Sequence, residues 1–231
     1  MHAAQRPSGL RRRGLGRGGY TLIAVLAVVL LAGAPLRVAA HPHVFIDARL
    51  EFEFDDSGLQ GFWAEWAFDE LFTSMIVLDF GAPRRGPFSE QLIRSIHEGA
   101  FSNLQFYDYF TYVFVDGSRY STESVEQFSA FMRDHRIVYR FFVPFRYPLD
   151  SRNRTLRVRM YDETFFTDIA FERHEPVRIR SDLGLHYDYR VVRNQDVAIE
   201  YDNRNQSVRR EGAVYSGLTH PYEVVLQYRR P

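Results

Sequence analysis

Apolar side chains occupy every second position between residues 44 and 54, and charged side chains occupy most of the positions between them. Strict alternation of this kind is typical of a β-strand with one buried face and one solvated face. Residues 55–58 have the sequence Asp-Asp-Ser-Gly, which favours a turn, and an apolar-rich segment follows at residues 59–67. The pattern therefore predicts a β-hairpin over residues 44–67.

A pair of helices is predicted after this hairpin. Asp69 precedes a run of residues with apolar side chains at helical spacing, so we expect it to act as an N-cap. Residues 81–87 contain two glycines and two prolines, which end that helix. Ser89 is a second N-cap candidate, and apolar residues follow it at helical spacing. We therefore expect a helical insertion over about residues 69–105.

The rest of the chain has mainly the period of strands. Strands are predicted at residues 109–115, 123–132, 136–145, 154–161, 164–172, 176–180 and 222–228. The segment 193–212 is polar and rich in asparagine, arginine and glutamine, which predicts a loop. The expected fold class is α+β, a mostly antiparallel, sandwich-like β-structure with the helical pair inserted. Residues 41–231 are expected to form one domain.

The first 40 residues have the order of a secretory signal peptide. Arginines precede an apolar core at residues 20–32, and Val-Ala-Ala at residues 38–40 provides small residues for cleavage. The apolar core is short for a transmembrane helix. Cleavage after Ala40 would make His41 the first residue of an exported, periplasmic domain without a membrane span.

Removal of the leader makes the protein acidic. The leader contains six arginines and no acidic residue, which leaves 23 arginines against 29 carboxylates. This balance argues against a nucleic-acid partner, because such proteins concentrate positive charge. Cysteine and lysine are absent, which excludes disulfides, thiolate metal ligands and lysine-based catalysis. The sequence has no nucleophile elbow, phosphate-binding loop or His-Glu-x-x-His motif, so we do not expect an enzyme.

The tripeptide His41-Pro42-His43 would lie at the new N-terminus, and it is the candidate metal site. Two imidazoles two residues apart on an extended chain leave the same face and can converge on one ion. The amine of His41 can supply a third nitrogen, whereas Pro42 has no amide hydrogen and excludes a square-planar site built on backbone amides. These ligands suit Ni, Zn or Cu and do not decide between them. The alternative, a solvated terminus that binds nothing, stays open.

Any further metal ligand must come from elsewhere in the chain. The candidates are Asp69, Glu70 and Asp162. Each of them also has a structural interpretation. Asp69 is the expected N-cap, Glu70 has a favourable charge for the first helical turn, and Asp162 is of the type that orders a hairpin turn. Both interpretations of these carboxylates stay open.

Two other carboxylates are assigned structural or solvent-facing positions. Asp47 lies on the face of His43 but about 13 Å further along the strand, too far to share one ion. We therefore expect Asp47 to pair with an arginine. Asp168 falls at an outward position of a predicted strand, and we expect its side chain to be solvated.

Four motifs occur in one order along the chain. They are His-Pro-His-Val-Phe-Ile-Asp (41–47), Trp-Ala-Phe-Asp-Glu (66–70), Phe-Ser-Asn-Leu with Tyr-Phe-Thr-Tyr (101–104 and 109–112), and Tyr-Asp-Glu-Thr-Phe-Phe (161–166). In this combination the chain resembles an uncharacterised bacterial family described as the periplasmic component of an ABC-type transport system. Its members are often encoded beside nickel/cobalt-type or zinc transporters. The resemblance implies a periplasmic location, a metal theme and a membrane metal transporter as partner, rather than a reaction.

One loop departs from the pattern of that family. Many members carry an Asp/Asn-rich, EF-hand-like loop between the two inserted helices, whereas this chain has Gly-Ala-Pro-Arg-Arg-Gly-Pro-Phe at residues 81–88. The glycine and the phenylalanine are kept at Gly86 and Phe88, but the oxygen ligands are gone. Calcium takes about six to eight oxygen ligands, so we expect no calcium site.

These observations favour a non-enzymatic, exported protein that binds a divalent transition metal for a nickel/cobalt-type or zinc transport system. An envelope interaction module whose histidines bind nothing is the alternative. A third possibility is a copper oxidoreductase, because an amine and two imidazoles can form a histidine brace. In known braces the second histidine comes from far along the chain, whereas here it lies two residues away.

Overall fold

The first two strands form where the alternation of apolar residues predicts them. The computed structural model describes residues 42–202 and 216–230; the predicted signal peptide (1–40) and His41 lie outside these ranges. Strand β1 is Val44–Asp55, and strand β2 is Gly58–Phe68. The even-numbered side chains of β1 from residue 46 onward are buried. The two strands pair antiparallel, which confirms the predicted hairpin.

The helical insertion follows β2, and strands make up most of the remaining chain. Helix α1 is Glu70–Phe80 and helix α2 is Glu90–Ile96, followed by a π-helical turn at His97–Phe101 and a 3-10 segment at Ser102–Phe110. The later strands are β3 (Thr111–Val115), β4 (Ser118–Tyr120), β5 (Glu126–Arg133), β6 (Arg136–Pro148), β7 (Arg154–Met160), β8 (Thr167–Phe171), β9 (Val177–Ser181), β10 (His186–Arg193), β11 (Ile199–Asp202), β12 (Ser216–Thr219) and β13 (Tyr222–Arg229).

Two sheets carry most of the strands. The first has the order β5-β6-β2-β1-β8, with β9 also paired to β1, and both β8 and β9 run parallel to β1. Its other pairs are antiparallel. The second sheet has the order β10-β13-β7-β3-β4 and is antiparallel throughout. Strands β11 and β12 form a separate antiparallel pair. The predicted α+β class with mostly antiparallel strands is confirmed.

Apolar side chains from both sheets and from the helical insertion form one hydrophobic cluster. The first sheet contributes Leu50 and Trp66, the second contributes Val158 and Leu226, and Phe101 comes from the π-helical turn. Each of these side chains is at most 1% exposed. Burial of apolar area at about 25 cal/mol per Å² is the main favourable contribution to such a fold. The shared core produces the sandwich-like arrangement that the strand pattern predicts.

Both helices begin at the predicted N-caps. Asp69 Oδ1 accepts a hydrogen bond from the Phe72 N–H at 2.9 Å, and Ser89 Oγ accepts one from the Leu92 N–H at 3.2 Å. Helix α1 ends at Gly81, whose φ of 65° lies in the left-handed region that glycine adopts without strain. Within the described ranges, no helix has both the length and the apolar character needed to cross a membrane.

The sequence pattern misses three strands near the C-terminus, namely β10, β11 and β12, the last of which occupies residues 216–219 where no strand is predicted. Strand β10 occupies residues 186–193, where no strand is predicted, and β11 at residues 199–202 falls inside the predicted loop 193–212. Residues 203–212 of that loop lie outside the described ranges. Strand β10 forms because β13 supplies hydrogen-bond partners for its backbone, and β12 does the same for β11. Such pairing requires no apolar run, so periodicity alone does not reveal it.

Candidate functional site

The N-terminal end of β1 is held by the segment that follows β7. The Phe166 carbonyl accepts hydrogen bonds from the N–H groups of His43 and Val44, at 2.9 and 3.2 Å. The rings of His43 and Phe166 also lie against each other, with their centroids 5.0 Å apart. His43 nevertheless remains exposed at the surface. The structure thus fixes the backbone of this histidine and presents its side chain to solvent.

Asp69 holds the same end of β1 from the side of β2. Its Oδ2 accepts a hydrogen bond from the Phe45 N–H at 2.7 Å, and its own N–H donates to the Phe45 carbonyl at 3.0 Å. Because Oδ1 caps α1 through Phe72, each carboxylate oxygen binds one backbone amide. Glu70 is exposed in the first turn of α1, where its charge favours the helix dipole.

Asp162 orders the turn that carries Phe166. Its Oδ1 accepts hydrogen bonds from the N–H and the Oγ1–H of Thr164, at 2.8 and 2.7 Å. Its Oδ2 accepts a third from the Thr167 N–H at 3.1 Å, and its carbonyl accepts one from the Phe165 N–H. The side chain is only 6% exposed. Asp162 therefore has the predicted turn-ordering role, and the predicted strand 164–172 begins only at Thr167.

The third motif supports the Asp162 turn, which belongs to the fourth. The Phe110 carbonyl accepts a hydrogen bond from the Tyr161 N–H at 3.0 Å, and the rings of Tyr112 and Tyr161 stack at 4.4 Å. Asp108, Tyr109 and Phe110 all have φ near +50°, in the left-handed region that costs a non-glycine residue roughly 1–2 kcal/mol. The surrounding contacts must offset this strain. All four motifs therefore belong to one connected region around the start of β1.

The structure brings three of the predicted metal ligands into that region. His43 is exposed, whereas Asp69 and Asp162 both bind backbone amides with their carboxylates. Within residues 42–202 and 216–230, no three His, Cys, Asp or Glu side chains gather closely enough to hold a metal ion. The second imidazole of the predicted site, on His41, lies outside those residues. The metal-ligand role of these residues therefore stays a prediction.

Asp168 is a candidate ligand that the sequence assigns to solvent. Phe45 and Asp168 are direct partners in the parallel register of β1 and β8, so Asp168 lies diagonally across from His43 on the same face of the sheet. Strand spacing and rise place the two Cα atoms about 8 Å apart. Contrary to the expectation of a solvated side chain, Asp168 is half-buried, and burial raises its pKa while Arg193 partly offsets the effect.

The surroundings of Asp168 include a second imidazole. Asp168, His220 and Tyr222 line one small cavity at the edge of β8. His220 Nδ1 donates a hydrogen bond to the Val197 carbonyl at 2.7 Å, so Nε2 is the ring nitrogen that remains for other contacts. Among the described residues, neither this nitrogen nor the Asp168 carboxylate has a hydrogen-bond partner. Sequence alternation does not reveal that Asp168 and His220 share a cavity, because it does not show which distant segments of the chain meet.

The remaining charges on the outer face of the first sheet neutralise each other. Asp47 pairs with Arg136 at 2.6 Å, which confirms the expected arginine partner. Beyond this pair, eight side chains form a continuous chain of alternating charge with contacts of 2.5–3.9 Å. In order they are Arg49, Glu172, Arg133, Glu65, Arg140, Glu51, Arg180 and Glu53. The arginines on this face therefore do not form a basic patch.

Fold and site together define an α+β protein with two main β-sheets. An exposed histidine directly precedes its first strand, and two segments ordered by aspartates hold that end of the strand in place. This arrangement combines a rigid backbone with an accessible imidazole. The chain belongs to the family described as "Protein of unknown function (DUF1007)", which it matches over residues 26–218.

Two relatives with no assigned function show similarity over part of the chain. An uncharacterised 15.5 kDa protein in the trpE 3' region of Spirochaeta aurantia is 34% identical over 105 residues, which are 46% of this chain and 74% of the relative. An uncharacterised protein of Haemophilus influenzae is 24% identical over 137 residues, which are 58% of this chain and 64% of that protein, just under two thirds of its length. No solved structure matches the chain.

Proposed function

We propose that this protein is an exported, periplasmic accessory protein that binds a divalent transition metal and serves a nickel/cobalt-type or zinc transport system. The observation that carries the proposal concerns His43. The sequence motifs meet around this residue and hold its backbone in place, while its imidazole is exposed. Asp69 and the Asp162 turn hold the strand on both sides of it. The leader sequence supports export, and the family resemblance supports the transport partner.

The nitrogen ligands of the proposed site are the imidazoles of His41 and His43 and the amine of His41. Asp168 is the carboxylate that the sheet register places diagonally across from His43 on the same face. Nitrogen and carboxylate donors without thiolate suit Ni²⁺, Zn²⁺ and Cu²⁺. We treat the ion as cargo, because a site with few protein ligands at an exposed chain end can both take up and release a metal.

A second candidate function is that of an interaction module without a metal site. The observation that favours it is an apolar stripe on helix α1, formed by Leu71, Met75 and Leu78, which are 65, 49 and 79% exposed. These residues lie on one face of the helix at spacings of four and three positions. Contiguous exposed apolar surface of this kind is typical of protein contacts. The response to metal distinguishes the two functions.

Calorimetric titration of the mature protein with Ni²⁺, Zn²⁺ and Cu²⁺ tests the proposal. We expect His43→Ala to abolish tight binding and Asp168→Asn to weaken it about tenfold, as loss of one supporting ligand does. His174→Ala is the matched control, because it removes another exposed imidazole that lies beyond β8. The three variants should keep the melting temperature of the wild type, since all change exposed or half-buried side chains.

The outcomes separate the alternatives. Unchanged affinity in the double variant His41→Ala, His43→Ala would exclude the metal site and leave the interaction module. A variant with one extra residue before His41 tests the amine. If this variant binds metal as weakly as the double variant, the amine is a ligand; if it does not, only the imidazoles are ligands. Redox cycling of a bound copper ion would instead favour the copper oxidoreductase.

A further inference from the structure

Strand β10 ends the second sheet with an open edge. It spans His186–Arg193 and pairs with β13 on one side only. Among the described residues, no backbone group on its other edge takes part in a hydrogen bond. Open edges are templates for pairing with another chain, and proteins usually block them with proline, lysine, a bulge or a short strand. The β10 sequence, His-Tyr-Asp-Tyr-Arg-Val-Val-Arg, contains no proline, glycine or lysine.

The other terminal strands of the two main sheets are blocked in these ways. Strand β4 has three residues, and β8 and β9 have five each. Strand β5 has a register shift between Glu126 and Ser129, with Gln127 at a φ of 52°. Strand β10 has eight residues and an unbroken register along β13. It is therefore the edge of the described structure best suited to strand addition.

The sequence of β10 is complementary to itself when it runs antiparallel. If a two-fold axis runs perpendicular to the sheet, the core-facing surfaces of both copies lie on the same side of the joined sheet. Residues directly across from each other are then either both odd-numbered or both even-numbered. When Tyr189 faces Tyr189 of a second copy, Asp188 faces Arg190 twice. Tyr187 then faces Val191 twice. Opposite charges and aromatic–aliphatic pairs directly across from each other are the contacts that stabilise paired strands.

The neighbouring registers lack this complementarity. A shift that centres the axis on Asp188 brings two carboxylates together, and a shift that centres it on Arg190 brings two guanidinium groups together. Both Asp188 and Arg190 are exposed and make no ion pair within the described residues. Tyr187 is 51% exposed, although it lies on the face of the strand that contains the core-packed Tyr189. A second strand would cover that ring.

We propose that two copies of this protein associate through antiparallel pairing of β10, which joins their second sheets into one continuous sheet of ten strands. The occupant of the edge is a second copy because the strand offers both halves of each charged pair. The central Tyr189 sets the register. This association does not depend on the proposed metal site, since the two lie on different sheets.

Sedimentation of the mature protein over about 1 to about 100 μM tests this proposal, because a dimer forms by mass action. We expect the wild type to dimerise. Arg190→Asp places two pairs of carboxylates across the interface and should raise the dissociation constant at least about tenfold. Asp188→Arg should do the same with guanidinium pairs. The double change Asp188→Arg, Arg190→Asp restores opposite charges and should restore the dimer.

Arg173→Asp is the control, since it makes the same charge change at an exposed residue that lies away from β10. Circular dichroism checks that every variant keeps the wild-type fold. A wild type that stays monomeric over the whole concentration range would overturn the proposal. A dimer that ignores both single changes, or a double variant that stays monomeric while folded, would overturn the β10 register.

Discussion

Removal of the Asp162 side chain should loosen the site at the start of β1 as well as destabilise the fold. The carboxylate accepts three hydrogen bonds, from the N–H and hydroxyl of Thr164 and from the N–H of Thr167. Thr167 is only 8% exposed, so water reaches its amide poorly. Asp162→Ala leaves these donors without their acceptor. It also frees the turn that presents the Phe166 carbonyl to β1.

The expected magnitude follows from these contacts. Each hydrogen bond contributes about 1 kcal/mol to stability, so three of them contribute about 3 kcal/mol to the free energy of unfolding. For a domain of this size, about 1 kcal/mol lowers the melting temperature by about 2–4 °C, which gives a decrease of about 6–12 °C. Asp162→Asn keeps the oxygen that accepts both hydrogen bonds from Thr164 and should cost about one third as much, about 1 kcal/mol, because its NH₂ group cannot accept from the Thr167 N–H.

Thermal unfolding and amide hydrogen exchange measure the two effects separately. We expect faster exchange of the His43 and Val44 amides in Asp162→Ala under conditions where the fold persists. Asp182→Ala is the control, because Asp182 is an exposed acidic residue in a turn. A melting temperature for Asp162→Ala equal to that of the control would refute the reasoning. Unchanged exchange at His43 would show that the turn does not hold β1.

Three further outcomes follow from the charges and ligands of the structure. Burial alone would raise the pKa of Glu223, but hydrogen bonds from Arg159 and Asn194 lower it below the ordinary value. The contribution of Glu223 to stability is therefore present above its unfolded-state pKa and is lost as the pH falls through its folded-state pKa. In a plot of melting temperature against pH, Glu223→Gln should reduce the decrease on the acid side. Affinity for the transition metal should fall as the pH drops, because protons compete with the metal for the imidazole nitrogens. Calorimetry at several pH values measures this, and an affinity that stays constant would contradict it. Calcium should leave the melting temperature unchanged because loop 81–88 has no carboxylate, and a calcium-dependent increase would show that oxygen ligands come from elsewhere.

The sequence predicts those parts of the fold that depend on local pattern. Strand β1 follows from its alternation, and helix α1 follows from Asp69 and the apolar run behind it. The turn-ordering role of Asp162 is equally local, since all of its partners lie within five residues. In each case the side chain and the backbone groups that it serves are neighbours in the chain, so composition and spacing are sufficient.

The position of Asp168 could not be predicted in the same way. Its relation to His43 depends on the parallel register of β1 and β8, which no periodicity encodes. Its burial depends on a cavity wall that includes His220 from the C-terminal part of the chain. The hydrogen bond that the Asp69 carboxylate accepts from the Phe45 amide could not be predicted either, because it joins residues 24 positions apart.

The parallel pairing of β1 with β8 and β9 has a consequence for the order of folding. The β1–β2 hairpin closes over a two-residue turn, but the contact of Arg49 with Glu172 joins residues 123 positions apart. Closing a loop of that length costs about 3 kcal/mol more in chain entropy than closing a short turn. Non-local pairing of this kind is slow. In a chain that is synthesised from its N-terminus, strand β1 is made first, yet it reaches its final position only after the segment around Phe166 has followed.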